Sequence, residues 1–191
     1  MATSSNLLDD KIRNFLSKFS FDNFLDIGSG EGKFGKMTRE LYPKSRIVGV
    51  EPDPNTIQEF KLNEIYDKVI KKTATELTEG DDFVTDICIM GDVIEHLKKS
   101  EAIDFLNFIL YRCKYLIIKF PFCYLQYGDK FVRHQSIWFF EDFDALHLPI
   151  ILKEYDKYMS LVIMKGLPLV KDDFYKKHKL IREEIPNAKS I

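Results

Sequence analysis

The segment Phe24-Leu-Asp-Ile-Gly-Ser-Gly-Glu-Gly-Lys-Phe-Gly35 is the most informative part of this chain. An apolar segment runs from Phe24 to Ile27 and enters a loop with a glycine at every second position. The pattern predicts a strand, a tight turn and a helix that begins near Lys33. Glycine has no side chain, so such a turn brings backbone N–H groups and a helix N-terminus against a bound molecule. The stretch therefore indicates a nucleotide-like ligand at the first strand-to-helix turn of an α/β sheet.

Two ligand-binding patterns overlap in this loop. Gly30 to Gly35 fits the G-x-G-x-x-G dinucleotide pattern, and Glu51 follows at about the 20-residue distance of a ribose-binding acid. Counted from Asp26, the same loop reads Asp-x-Gly-x-Gly-x-Gly. A carboxylate at that position suits a cationic ligand group and repels a pyrophosphate. The competing interpretation of Asp26 is a strand-end residue that caps its own loop.

Three further segments follow the loop in order. They are Arg46-Ile-Val-Gly-Val-Glu51-Pro-Asp53, Asp86-Ile-Cys-Ile-Met-Gly-Asp92-Val-Ile-Glu95-His96-Leu97 and Arg112-Cys-Lys-Tyr-Leu-Ile-Ile-Lys-Phe-Pro121. Together with the loop, over about residues 20 to 165, they resemble the class I S-adenosylmethionine (SAM)-dependent methyltransferases. The resemblance implies an α/β, Rossmann-like sandwich whose seven-stranded sheet has the order 3-2-1-4-5-7-6 with strand 7 antiparallel. Ile150–Tyr155 and Met159–Met164 are the expected final hairpin.

The resemblance also implies SAM as cofactor and a set of residues around it. The acid at Asp26 and the loop backbone would contact the amino-acid end of SAM, and Glu51 would hold both ribose hydroxyls. Thr73, Ala74 and Thr75 would lie near the adenine, through backbone contacts. The expected cofactor-binding residues are Asp26, Gly28, Ser29, Gly30, Gly32, Phe34, Glu51, Pro52, Thr73, Ala74, Thr75, Gly91, Asp92 and Val93.

The chemistry is expected at the carboxyl ends of strands four and five. His96 is the first choice for the base that removes a proton from an acceptor hydroxyl, with Asp92 and His134 beside it. The alternative is that Glu95 and His96 cap the turn out of strand four. The wider set of candidates there adds Tyr124, Tyr127, Arg133 and Trp138.

A metal site is a further hypothesis. Asp92-x-x-Glu95-His96 resembles a cluster that is associated with a divalent metal in ubiquinone-pathway O-methyltransferases and in small-RNA 3′-terminal 2′-O-methyltransferases. His134 would supply a second imidazole. The resemblance makes Asp92, Glu95, His96 and His134 candidate ligands for a cation such as Mg²⁺, which would polarise a substrate hydroxyl.

Arg133-His-Gln-Ser-Ile-Trp-Phe-Phe-Glu-Asp-Phe143 carries a second, finer resemblance. It is similar to a stretch of UbiG-like methyltransferases (methyltransferase type 11, 12 or 23 group) in bacterial surface-glycan gene sets. That similarity implies a sugar or another small molecule as the hydroxyl acceptor. The competing interpretation is that Ser136 caps the next helix while Trp138 and Phe139 belong to the core.

Length and composition agree with a single domain, and the resemblance implies that residues 1–191 form one SAM-dependent methyltransferase domain. A net charge of -2 gives no overall attraction to nucleic acid or membrane, and the basic residues do not gather around the aromatic ones. We expect an N-terminal helix within 1–20, a substrate-side loop at 121–136 and a charged tail at 168–191. The first helix, this loop and the second subunit of a homodimer are the expected sources of selectivity.

Local patterns complete the predictions. Apolar spacing predicts a helix that buries Phe19 and a single helix from Pro54 to Ile65. Three cysteines, an odd number, favour buried free thiols in a reducing compartment. No signal-peptide pattern or membrane-spanning run is evident, so we expect a cytoplasmic protein. Two rival functions stay open: an NAD-dependent oxidoreductase and a non-catalytic SAM-binding partner subunit.

Overall fold

The seven strands of the protein form one mixed sheet. The computed structural model describes residues 5–81, 85–122 and 133–169. The strand order is β3-β2-β1-β4-β5-β7-β6, with β7 antiparallel to both of its neighbours, which confirms the predicted topology. The strands are β1 Asn23–Ile27, β2 Arg46–Val50, β3 Lys68–Ile70, β4 Thr85–Gly91, β5 Cys113–Pro121, β6 Ile150–Asp156 and β7 Met159–Lys165.

Helices cover both faces of this sheet. They are α1 Asp9–Leu16, α2 Lys33–Leu41, α3 Pro54–Glu59, α4 Leu62–Ile65, α5 Lys99–Leu110 and α6 Phe140–Asp144, with short 3₁₀ helices at Ala74–Glu76 and Ile94–His96. One core cluster lies between the sheet and α5 and α6, and the other between the sheet and α1 to α4. Strands buried on both faces explain the nearly continuous apolar runs in the sequence.

The N-terminal helix is shorter than the spacing predicts. Leu8 precedes α1 with a left-handed φ of 65°, and the helix ends at Leu16. Phe19 therefore lies beyond the helix and is exposed, so its assignment to the buried face was wrong. Its ring instead stacks on Tyr115 at the surface.

The prediction of a single helix after β2 was also wrong, because the structure has two short helices there. Asp53 caps the first part through its side chain, and Pro54 opens α3 as expected. Lys61 then adopts a left-handed φ of 50°, which interrupts the helix before α4. The break lies next to Leu62 and Tyr66, whose side chains are both buried.

Strand register brings the carboxyl ends of the central strands to one edge. Ile27, the last residue of β1, pairs with Val50 of β2 and with Met90 of β4. The residues that follow these strands, including Glu51 and Asp92, must therefore meet at the same edge. Ligands of open α/β sheets bind at such an edge.

None of the helices among the described residues combines the length and the apolar character needed to cross a membrane.

Candidate active site

The glycine-rich loop after β1 is held in a conformation that glycine favours. Gly28, Gly30 and Gly32 have positive φ angles of 69°, 49° and 76°. The N–H groups of Gly28 and Ser29 both donate to the carbonyl of Val50, which ties the loop to β2. A Cβ at Gly28 would lie 2.4 Å from Val93, so the loop contacts the exit from β4 directly.

Asp26 is buried beneath this loop and is 3% exposed. The Tyr66 hydroxyl donates a 2.5 Å hydrogen bond to its Oδ2. The other oxygen, Oδ1, has no hydrogen-bond partner among the described residues. Burial raises the pKa of Asp26 to about 7, and the bond from Tyr66 opposes that rise. A buried oxygen without a donor is a position that a ligand ammonium could satisfy.

Glu51 follows β2 and organises the rim of the same cleft. Its Oε2 accepts a 2.9 Å hydrogen bond from the Gly30 N–H, and its Oε1 accepts a 3.1 Å bond from the Asp53 N–H. Burial raises the pKa of Glu51. Each carboxylate oxygen has a second lone pair, so both can accept a further bond from a ligand hydroxyl.

The other predicted cofactor residues lie at the ends of β3 and β4. Thr73 is the N-cap of the 3₁₀ helix Ala74–Glu76 after β3, and Ala74 and Thr75 are its first residues. The Glu76 carboxylate accepts hydrogen bonds from the Thr73 backbone N–H and hydroxyl. The ring of Phe34 covers Gly91, since a Cβ there would lie 2.1 Å from that ring. Pro52 stands between Glu51 and the cap of α3.

The turn after β4 carries the polar cluster. Asp92 has a left-handed φ of 56°, and its N–H donates to the carbonyl of Lys119. Glu95 and His96 follow in the 3₁₀ helix Ile94–His96. Glu95 is 2% exposed, and its Oε2 has no hydrogen-bond partner among the described residues. Burial, followed by the charge of Asp92, raises the pKa of Glu95 well above its usual range.

A distant segment completes this cluster. The N–H groups of Gln135 and Ser136 both donate to the carbonyl of Glu95, at 2.7 and 3.1 Å. These bonds bring His134 against His96, with ring centroids 5.0 Å apart and an edge-on arrangement. The structure therefore places His134 where the sequence-based hypothesis needed a second imidazole.

The hydrogen bonds of His96 define its tautomer. Nδ1 lies 3.2 Å from the carbonyl oxygen of Arg133, which can only accept, so Nδ1 carries the proton. Burial lowers the pKa of His96, which favours the neutral ring. In that ring Nε2 keeps its lone pair, and it lies 3.9 Å from Glu95 Oε1. His96 thus presents a basic nitrogen at the cluster.

Three of the four suggested metal ligands form a compact group. Ligand atoms of Glu95, His96 and His134 all lie within 4.8 Å of one another. Asp92 does not belong to this group, although its charge partly opposes the lowering of the His96 pKa by burial. The group therefore offers one carboxylate and two imidazoles rather than two of each.

The aromatic segment that follows is mainly structural. Trp138 is buried in the core, and its indole N–H donates to the Ser136 hydroxyl at 2.7 Å. Ser136 itself donates to the carbonyl of Ile94, so the expectation that it caps α6 was wrong. Phe139 is 38% exposed and also departs from its expected place in the core. It immediately precedes α6, and its ring packs edge-on against Phe122.

Several predictions fall on parts of the chain beyond those described. Tyr124 and Tyr127, most of the 121–136 loop and nearly all of the 168–191 tail lie outside the described residues. Of the cysteines, Cys88 and Cys113 are buried and free, as expected, while Cys123 lies outside.

The sequence-based reasoning missed Tyr66 and a lysine pair. Lys119 of β5 has a fully buried side chain, and it shares the Asp9 carboxylate with Lys33. A lysine between Ile118 and Phe120, inside the apolar part of β5, was a visible signal of a special position. No local pattern marked Tyr66, because its contact with Asp26 joins residues 40 positions apart.

Residues 25–108 match the family model of a methyltransferase domain. A comparison with curated protein sequences finds no match. Among solved structures, the chain is similar to an S-adenosylmethionine-dependent methyltransferase from Clostridium acetobutylicum ATCC 824. The TM-score is 0.64 at 12% identity, over 86% of this chain and 92% of that one.

Two Burkholderia thailandensis structures are also similar. One is an O-methyltransferase family protein, with TM-score 0.60 and 12% identity over 83% of this chain and 56% of that chain, so this chain spans about half its length. The other is 1,6-didemethyltoxoflavin-N1-methyltransferase with bound 1,6-didemethyltoxoflavin and S-adenosylhomocysteine. It has TM-score 0.59 and 12% identity over 82% of this chain and 75% of that one. The strand order and these similarities together show that this chain has the Rossmann-like class I methyltransferase fold.

Proposed function

We propose that the protein is a SAM-dependent methyltransferase, acting as a single domain on a hydroxyl group of a small molecule or sugar. The observation that carries this proposal is that the turn with His96 follows β4 at the same edge of the sheet as the glycine loop and Glu51. Fold alone does not select the acceptor, since one similar structure is an O-methyltransferase family protein and another methylates N1 of its substrate.

The residues around the loop fit the cofactor. Asp26 would meet the ammonium of the amino-acid end with Oδ1, which has no donor among the described residues. Glu51 would accept both ribose hydroxyls while it keeps its bonds to Gly30 and Asp53. Thr73 to Thr75 would line the adenine through their backbone, and Phe34, Gly91 and Val93 would border the methionyl part. When bound, SAM supplies an electrophilic methyl group on sulfur.

His96 would then act as the general base. Its Nε2 accepts the proton of the acceptor hydroxyl, while the Arg133 carbonyl holds the ring by Nδ1. His134 fixes the other side of the ring, and Asp92 stabilises the imidazolium that forms. Correct placement of acceptor and base supplies the remaining rate enhancement.

Binding of a divalent cation is the second role that we consider for the same cluster. Glu95, His96 and His134 would hold it, and the Glu95 oxygen without a partner supports the fit. One carboxylate and two imidazoles suit manganese or zinc better than magnesium, which prefers oxygen ligands. The cation would polarise the acceptor hydroxyl. His96 Nε2 can either bind a metal or take a proton, so the two roles exclude each other.

Metal dependence can be tested directly. We expect purified protein dialysed against a chelator to bind added Mn²⁺ if the cluster is a metal site, and Glu95→Gln to lose that binding. Asp92→Asn is the matched control, because Asp92 lies outside the compact group. Methyl transfer that survives chelation and does not rise with magnesium or manganese would leave His96 as the base.

The decisive experiment for the function is a pair of measurements. Calorimetry with SAM, S-adenosylhomocysteine and NAD identifies the ligand, and we expect binding of the first two alone. Methyl-labelled SAM is then offered with separate pools of sugars, phenols and amines, and label should move into a hydroxyl compound. Binding of NAD would support the oxidoreductase, against which the strand order already argues.

Tight binding of SAM with no transfer to any pool would favour a non-catalytic partner subunit. The UbiG-like resemblance makes sugar hydroxyls the first pool to test. Sedimentation of the purified protein would show whether a homodimer forms.

A further inference from the structure

The carboxylate of Asp9 bridges two lysines beside the candidate cofactor loop. Its Oδ1 lies 2.8 Å from Lys119 Nζ, and its Oδ2 lies 2.7 Å from Lys33 Nζ. Both ammonium groups also donate to the backbone carbonyl of Ser5. One carboxylate thus makes a two-point contact with a pair of cations from different elements, β5 and α2.

We propose that Lys33 and Lys119 form a carboxylate-binding subsite, and that Asp9 occupies it until a ligand carboxylate takes its place. The identity of that ligand rests on the proposed function. The carboxylate belongs either to the amino-acid end of the cofactor or to the acceptor. In both cases the ammonium groups of Lys33 and Lys119 would bind it in the same way.

The position of the pair next to the cleft supports a ligand site. Lys119 lies near the carboxyl end of β5, directly opposite Gly91 in the sheet register. Its Nζ and that of Lys33 lie 5.2 and 5.5 Å from the centre of the Phe34 ring. The same ring covers Gly91, so the lysine pair and the candidate cofactor residue Gly91 both lie next to Phe34.

The energetics argue against a purely stabilising role. Lys119 has no exposed side-chain surface, and burial lowers its pKa while the bond to Asp9 raises it. A buried ion pair of this kind recovers little more than its own desolvation cost, and an apolar residue would pack there as well. A ligand carboxylate that replaced the Asp9 carboxylate one for one would keep the charge balance at the two lysines unchanged.

The position of Asp9 in the chain would allow its carboxylate to move away from the two lysines. Asp9 lies in the first turn of α1, directly after Leu8 with its left-handed φ of 65°. Its backbone N–H bonds only locally, to Asn6 at 3.3 Å. A shift of residues 5–9 would uncover both lysines without changing the sheet.

The test compares Asp9→Asn, Lys119→Met and Lys33→Met with the wild type. Three probes are titrated by calorimetry at constant ionic strength: S-adenosylhomocysteine, 5′-methylthioadenosine and acetate. 5′-Methylthioadenosine has the nucleoside but no amino-acid end, so it reports the rest of the site. Lys72→Met and Asp81→Asn are matched controls, because they break a lysine–aspartate pair elsewhere. Circular dichroism verifies folding, and the less buried Lys33 provides a second variant if Lys119→Met does not fold.

We expect Asp9→Asn to bind a carboxylate probe about tenfold more tightly and either lysine variant to bind it about tenfold more weakly. If S-adenosylhomocysteine follows this pattern and 5′-methylthioadenosine does not, the carboxylate is that of the cofactor. If acetate alone follows it, the carboxylate is that of the acceptor.

The proposal is overturned if binding of both carboxylate probes stays within about twofold of the wild type in all three variants. A parallel loss for 5′-methylthioadenosine would also overturn it, since that loss reports general damage. Failure of the proposed function looks different: neither nucleoside probe would bind the wild type, while acetate would still respond to the lysine changes.

Discussion

Tyr66 donates a 2.5 Å hydrogen bond to Asp26, and the two side chains are buried together under the glycine loop. Tyr66 also fills the space left by Gly35 and Gly49, whose added Cβ atoms would lie 2.4 and 2.9 Å from its ring. One tyrosine therefore fixes the acid at the end of β1, packs against α2 and lies against β2. The candidate cofactor site depends on this packing as well as on the loop.

The raised pKa of Asp26 makes stability depend on pH. An aspartate titrates near 3.8 in the unfolded chain and at about 7 in the folded protein, so the folded state binds more protons between these values. Stability should therefore fall as pH rises through this window, with a slope from Asp26 approaching about 1.4 kcal/mol per pH unit. Urea unfolding of wild type and Asp26→Asn from pH 4.5 to 8 measures the difference. Parallel curves for the two proteins would contradict the assignment.

Glu51→Gln should weaken cofactor binding. The amide keeps one acceptor oxygen, so it loses one backbone bond to Gly30 or Asp53 as well as part of the ribose contact. We expect about a 10- to 100-fold loss of affinity for S-adenosylhomocysteine, and an equal loss for 5′-methylthioadenosine, which carries the same ribose. Glu64→Gln, which changes an exposed side chain of α4, is the control and should bind normally. Wild-type affinity in the Glu51→Gln variant would show that Glu51 does not bind the cofactor.

His96→Asn should reduce methyl transfer without loss of cofactor binding. Removal of a positioned base lowers kcat by about 10²- to 10⁴-fold, while the loop and Glu51 remain intact. His147→Asn is the matched control, because His147 is exposed and Asn accepts its left-handed φ of 54°. Steady-state rates and S-adenosylhomocysteine calorimetry on both variants give the answer. Equal methyl-transfer rates in the two variants would show that His96 only stabilises the turn after β4.

Gly35→Ala should destabilise the protein although it introduces a better helix former into α2. The new Cβ would lie 2.4 Å from Tyr66 Cζ, in a buried contact that cannot easily widen. We expect a loss of about 1–3 kcal/mol, against a gain of about 1 kcal/mol from helix propensity. Gly80→Ala serves as the reference, because its Cβ would lie 3.8 Å from Thr78 Oγ1, an ordinary contact distance. Chemical unfolding compares the two, and a stabilised Gly35→Ala would show that Tyr66 has room to move.

The candidate site was predictable where its residues follow a strand directly. Asp26, Glu51 and Asp92 each stand at or just after the end of a parallel strand, and register alone brings those ends together. His134 could be proposed only by resemblance. Its place beside His96 depends on backbone bonds from Gln135 and Ser136 to Glu95, which no local pattern encodes.

The sequence also misled where apolar spacing was the sole guide. Phe19 and Phe139 carry aromatic side chains in apolar runs, yet both are exposed, because helix ends and the path of the chain decide which face a residue takes. The break at Lys61 likewise follows from a left-handed backbone angle, which a lysine in the sequence does not predict.

Local signals in the sequence were enough to predict the strands and most of the helices, and the family resemblance supplied the order of the strands in the sheet. The partners of the buried charges became clear only from the folded structure. Tyr66 with Asp26, and Asp9 with Lys33 and Lys119, join residues far apart in the chain. Such pairs arise because a buried charge must find a partner wherever the packed fold places one.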